Sequence, residues 1–190
     1  MLAYVFWHWP DAHTEPAVYQ NALLYFHSTL AEHKPAGFLL SRCLLLSNAL
    51  WLDRDTVTYE DWSLVENSAA LDPLNIGAVT GACQEPHHQV ARWTVGSGAG
   101  LYQLRAGDAY LPVIRQAYRF NKPAGISYTD LYTLLQPLIE QSQGSLWTRQ
   151  MNLGPGPEFC WHSPEAFDVP EILQALNLPT QQLWSGKAPA

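Results

Sequence analysis

The chain has 190 residues, of which 47% are hydrophobic, 12% aromatic and only 14% charged, and its formal net charge is −7. Globular proteins carry about 25% charged residues, so this composition supplies a substantial core and argues against extended disorder. The acidic balance, with arginines scattered from Arg42 to Arg149 and no basic run, argues against a nucleic-acid partner.

Three widely spaced cysteines (Cys43, Cys83, Cys160) without a CxxC suit reduced thiols in the cytoplasm. No apolar run reaches the ~20 residues of a membrane span, and no secretory signal opens the chain. Ala3–Trp9 reads as a first strand, closed by Pro10-Asp11, with Tyr4, Phe6 and His8 on one face and Ala3, Val5, Trp7 and Trp9 on the other. Both faces are apolar, so both are expected to be covered. A helix follows from Pro16 to Glu32, with Tyr19, Leu23, Phe26 and Leu30 as its buried stripe. Phe38–Leu46 is the second strand. A turn around Ser47–Asp55 leads to the third, Thr56–Glu66, in which Thr58, Glu60, Trp62 and Leu64 share a side. A second helix spans Ser68–Ala82 with Ser68 as cap, and Ala99–Arg105 is the fourth strand.

The same order then begins again. Gln116–Pro123 (QAYRFNKP) echoes Ala3–Pro10 (AYVFWHWP), with a strand at Ala117–Asn121. Ser127 to Asp130 forms a capping box for a helix to Ser142, in which Pro137 predicts a kink or an early end. Gly144–Met151 lies over Gly37–Leu44, which matches Arg149 to Arg42. The Gly154–Pro157 hairpin leads to a strand at Glu158–His162, with Trp161 in the place of Trp62. A helix through Leu176 and a short strand at Gln181–Trp184 complete the second unit. The repeats are expected at 1–107 and 108–190.

Two βαββαβ units with apolar residues on both sheet faces resemble the dimeric α/β-barrel superfamily. The resemblance covers nearly the whole chain and implies an α+β fold: tandem ferredoxin-like repeats with antiparallel sheets packed as an intrachain α/β barrel. For an oxidative activity, the resemblance implies a cofactor-independent monooxygenase, in which a basic side chain deprotonates a substrate that itself reacts with dioxygen.

His8, beside aromatics at a strand end, is the candidate base, with a hydrogen bond to an adjoining loop as the structural alternative. Tyr4 and Trp62 are the candidate aromatic lining. Arg42 and Arg149, in matching strands, are candidate carboxylate or phenolate anchors, or else partners of Glu60, Asp61 or Glu158. His27 reads as a core histidine. Adjacent His87 and His88 diverge on a helix or strand and cannot easily share an ion, so no metal is expected. No GxGxxG, P-loop, GxSxG or HExxH occurs, and no cofactor is expected. The sequence leaves open an enzyme or binding protein for a small apolar or aromatic molecule, a non-catalytic assembly module (monomer or homo-oligomer), and non-covalent haem binding.

Overall fold

The computed structural model describes residues 1–47, 49–52, 57–152 and 156–188, with Asn152 described in its backbone alone. Its eight strands are β1 (Leu2–Pro10), β2 (Phe38–Leu46), β3 (Thr58–Val65), β4 (Thr94–Gly107), β5 (Gln116–Phe120), β6 (Ser145–Asn152), β7 (Phe159–Ser163) and β8 (Leu176–Ser185). All pairings are antiparallel and close a barrel in the order β1-β3-β2-β8-β5-β7-β6-β4, with β4 returning to β1. Each half contributes the same ferredoxin-like arrangement, β4-β1-β3-β2 and β8-β5-β7-β6. The β2–β8 and β4–β6 ladders seal them together. Four α-helices cover the outside: α1 (Pro16–Glu32), α2 (Leu71–Val79), α3 (Gln84–Ala91) and α4 (Tyr128–Ser142). None among the described residues is long and apolar enough to cross a membrane.

Local chemistry explains where the elements depart from the expected pattern. The expected Ser68–Ala82 helix is divided into a 3-10 turn, α2 and a second 3-10 turn, and α3 follows directly. The break falls at Gly81, whose φ of +56° suits glycine. Asn67, not Ser68, is the cap, its side chain accepting from the Ala69 amide at 2.9 Å. The fourth strand starts at Thr94 rather than Ala99, taking in Gly96-Ser97-Gly98. A Cβ at Gly96 would lie 2.1 Å from the Trp9 indole, so glycine is what lets the strand run beneath that ring. Pro137 does not end α4, because it lies on the exposed side, where water can serve the carbonyl it leaves unbonded. The helix expected from Ser163 to Leu176 is absent. Pro164 and Pro170 leave one 3-10 turn, Glu171–Leu173, and β8 runs ten residues instead of four. The turns expected at 47–55 and 154–157 lie partly outside the described residues.

Strand alternation sorts the side chains into two layers. Ala3, Val5 and Trp7 of β1, Leu40 and Leu44 of β2, Trp62 and Leu64 of β3, Tyr102 of β4 and Trp147 of β6 pack together inside the barrel. Tyr4, Phe6 and His8 therefore face the helices, not the space between the two halves. Trp161 is not the counterpart of Trp62. Val5 pairs with Trp62, whereas the equivalent Arg119 pairs with Cys160, and Trp161 points outward into the cluster under α4. The offset is one residue, which exchanges faces.

At the centre of the barrel, Glu60 and Arg119 are both 0% exposed and form an ion pair between the two halves. Glu60 also accepts from Trp7 Nε1 at 2.5 Å and Trp62 Nε1 at 2.6 Å. The Arg119 guanidinium lies 5.3–5.8 Å from the ring centroids of Trp7, Trp51, Trp62 and Tyr102. His162 nearby is kept neutral, by burial first and then by Arg119 and Arg42. Removing one member strands the other in a dry interior. Glu60→Ala is expected to cost about 3–5 kcal/mol in urea unfolding, with much of the loss recovered in the double variant Glu60→Met, Arg119→Leu. A Glu60→Ala cost below about 1 kcal/mol would show that the pair is solvated.

Candidate functional site

The opposite face of the first half's sheet carries the candidate site. A cavity of about 360 Å³ lies between that face and α1, α2 and α3. Tyr4, Phe6, Leu23, Phe26, Leu30 and Leu74 make its apolar wall, and His8, His27 and Asp61 its polar floor. In the second half Leu131, Leu135 and Ile139 of α4 pack directly onto Tyr118, Phe120, Leu146 and Trp161.

Rigid elements set the floor. On adjacent strands Asp61 stands opposite Phe6 in β1 and opposite Cys43 in β2, so His8 reaches it diagonally. His8 and His27 are each 1% exposed and Asp61 is 12% exposed. His8 Nε2 lies 3.0 Å from Asp61 Oδ2, and His27 Nε2 lies 3.1 Å from Oδ1. The remaining ring nitrogens are held as well: His8 Nδ1 by Tyr19 Oη at 2.6 Å and His27 Nδ1 by Ser41 Oγ at 2.9 Å. Tyr19 Oη continues to Thr94 Oγ1 at 2.8 Å. Stacking on Phe6 and Tyr59 fixes the plane of His8.

Burial alone would raise the Asp61 carboxyl, but the His27 and His8 rings outweigh it and hold it well below the usual carboxylate range. Asp61 is therefore an anion orienting two imidazoles. Burial pushes the Tyr19 phenol up, so it stays protonated and its hydroxyl can turn. Donating to His8, it serves a neutral imidazole. Donating to Thr94, it accepts from a protonated one. Thr94 Oγ1 in turn donates to the Val90 carbonyl at 3.1 Å, so every contact from His8 through Tyr19 and Thr94 has a donor when His8 Nδ1 carries a hydrogen. Across the cavity His87 is kept neutral by burial and by His88, and its Nδ1 is buried without a hydrogen-bond partner among the described residues.

The residues expected from the sequence divide between the two layers. Tyr4 and His8 line the cavity, while Trp62 and Arg42 lie inside the barrel. Arg42 donates to the Leu111 carbonyl at 3.1 Å, and burial, opposed by Asp108, brings its pKa down to about 10. Arg149 is half-buried and donates to the Gly156 carbonyl. The arginines are not symmetry mates: Arg42 stands opposite Trp62, and Trp147 stands opposite the matching Cys160. The cation paired with Glu60 is Arg119. Sequence reasoning missed the joint role of Asp61, His27 and Tyr19. The available signal was strand parity, which places Asp61 on the face opposite Glu60.

No family model and no curated protein matches the sequence. Solved structures do. A Fusobacterium nucleatum protein described as a "putative monooxygenase" superposes with a TM-score of 0.67 at 10% identity, covering 100% of this chain and 95% of that one. A protein of the same description from Lactobacillus acidophilus gives 0.61 at 9% identity, covering 97% and 95%. An anthrone oxidase-like protein gives 0.55 at 9% identity, covering 100% and 96%. The fold is that of the dimeric α/β barrels. In this α/β barrel one chain supplies both halves, and at such identities the likeness extends to the fold alone.

The depressed Asp61 carboxyl has a consequence for stability. Because it ionises below an unfolded aspartate (about 4), its contribution is complete above that value and is lost as the pH falls through the folded value. Asp61→Asn is expected to be less stable than wild type by roughly 1.5–3 kcal/mol at pH 7. The gap should narrow as the pH drops below about 4. Urea unfolding at pH 7 and pH 3 checks this, and an equal gap at both would contradict it.

Proposed function

We propose that the cavity binds a small aromatic ketone or phenol with an acidic hydrogen and promotes its oxidation by dioxygen, as a cofactor-independent oxygenase. The observation that carries this reading is the His8–Asp61–His27 array on the floor of an otherwise apolar cavity. The apolar wall suits a flat hydrocarbon body, and the floor offers a base where the substrate's acidic group would sit. The relation of fold to an anthrone oxidase-like protein suggests a fused aromatic ketone with an activated methylene as the test compound. The three free thiols support a reducing, cytoplasmic location.

In this mechanism His8 takes the proton at Nδ1 as the substrate displaces the Tyr19 hydroxyl, which keeps its bond to Thr94. Asp61 stabilises the imidazolium through Nε2. The resulting carbanion is electron-rich and adds dioxygen, forming a carbon–oxygen bond. His8 returns the proton to the peroxide, and loss of water leaves the new carbonyl. The step balances: one methylene and one dioxygen give one carbonyl and one water, the carbon being oxidised and the dioxygen reduced. The apolar walls exclude bulk water from the carbanion.

A second reading, binding without turnover, is favoured by one specific observation: both ring nitrogens of His8 are already engaged. Oxygen uptake with anthrone separates the two. The oxygenase reading expects one dioxygen consumed per anthraquinone formed, and kcat for His8→Gln lower by about 10²–10⁴-fold with binding retained. Binding without oxygen uptake would establish the second reading. Oxidation that His8→Gln leaves unchanged would remove His8 as the base.

A further inference from the structure

Beneath the cavity floor, three ligand atoms of types that bind metals converge. His27 Nε2, Cys43 Sγ and an Asp61 carboxylate oxygen all lie within 4.8 Å of one another. Cys43 and Asp61 are a direct cross-strand pair, and His27 descends onto them from α1. The 3.1 Å contact between His27 Nε2 and Asp61 Oδ1 is off-line, and neither atom makes a well-formed hydrogen bond among the described residues. The pair attracts as opposite charges through a bent contact, and a cation between them would give both atoms a direct partner. The ring is already oriented for that role: Nδ1 meets Ser41 Oγ at 2.9 Å, the outer-shell contact that fixes a ligating imidazole.

We propose that His27, Cys43 and Asp61 form a three-ligand site for a borderline divalent ion such as Zn²⁺, with its fourth position open to the cavity. The ligand set excludes Mg²⁺ and Ca²⁺, which avoid thiolates. Ligand distances of about 2.0–2.3 Å require the three side chains to draw together slightly around the ion. Asp61 would bind through Oδ1 and keep Oδ2 on His8. His27 and Asp61 line the cavity, so the open position would meet an anionic oxygen of a bound molecule. Burial and the neighbouring Asp61 push the Cys43 thiol up, so loading releases its proton. The assignment does not depend on the oxygenase reading, because ion binding is measured without substrate.

The test is a Co²⁺ titration of the reduced, chelator-treated chain. One equivalent should bind with a near-ultraviolet thiolate-to-cobalt band that Zn²⁺ abolishes. Cys43→Ser should lose the band with its far-ultraviolet circular dichroism unchanged, and Cys83→Ser and Cys160→Ser should keep it. Ser41→Ala should weaken Zn²⁺ binding by about 10–100-fold. Should Cys43→Ser fail to fold, a band retained in both other cysteine variants still assigns the ligand, since the chain has three cysteines. No near-ultraviolet band in the wild type, or a band that survives in folded Cys43→Ser, would overturn the proposal.

Discussion

The ion pair between Glu60 and Arg119 governs how the rest of the chain is arranged. Each residue comes from a different half, and neither has access to water. Charges so placed must be compensated locally, and Glu60 is, by two indole N–H groups and a guanidinium. The aromatic rings around Arg119 supply the bulk that fills the barrel and the π faces that a buried cation favours. The interior is thereby committed to joining the halves. Chemistry that needs open space is left to the other side of the sheet.

There the halves diverge. Under α4 the second half packs Leu131, Leu135, Phe159 and Trp161 into a continuous apolar cluster. In the first half three helices span the same region, and α2 and α3 stand over β1 and β3 with room beneath them. The duplicated architecture so yields one filled layer and one hollow layer. The hollow one holds His8, His27 and Asp61. The likeness to solved structures concerns the shared barrel, and the proposed chemistry rests on this chain's own residues.

Much of the barrel was legible in the sequence because strand alternation and helix spacing are local. Pro16–Glu32 and Phe38–Leu46 have the bounds their patterns indicate. That Glu60, Trp62 and Leu64 share a side of β3 follows from parity alone, but which side turns inward does not. Glycine misled where it served packing: Gly96 resembles loop chemistry but accommodates the Trp9 ring inside a strand. Similarity between aromatic strands misled at Trp161, since a shift of one residue preserves composition and exchanges faces. His8 could be recognised as a candidate, but its partners could not. Tyr19, His27 and Asp61 come from separate elements, and only the closed tertiary structure sets their approach. The face toward which His8 points was also hidden, because both faces of β1 are apolar and either could have turned inward.

Small aromatic molecules are proposed to enter the space between helices and sheet, not the barrel. The most direct measurement is nitrogen-15 NMR of histidine rings and indole N–H groups, recorded without oxygen while anthrone is added. The ring signals of His8 and His27 are expected to shift with saturation, while the Trp7 and Trp62 indoles remain in place. Saturable shifts at Trp7 and Trp62 with His8 and His27 unmoved would place the ligand inside the barrel and contradict binding between helices and sheet.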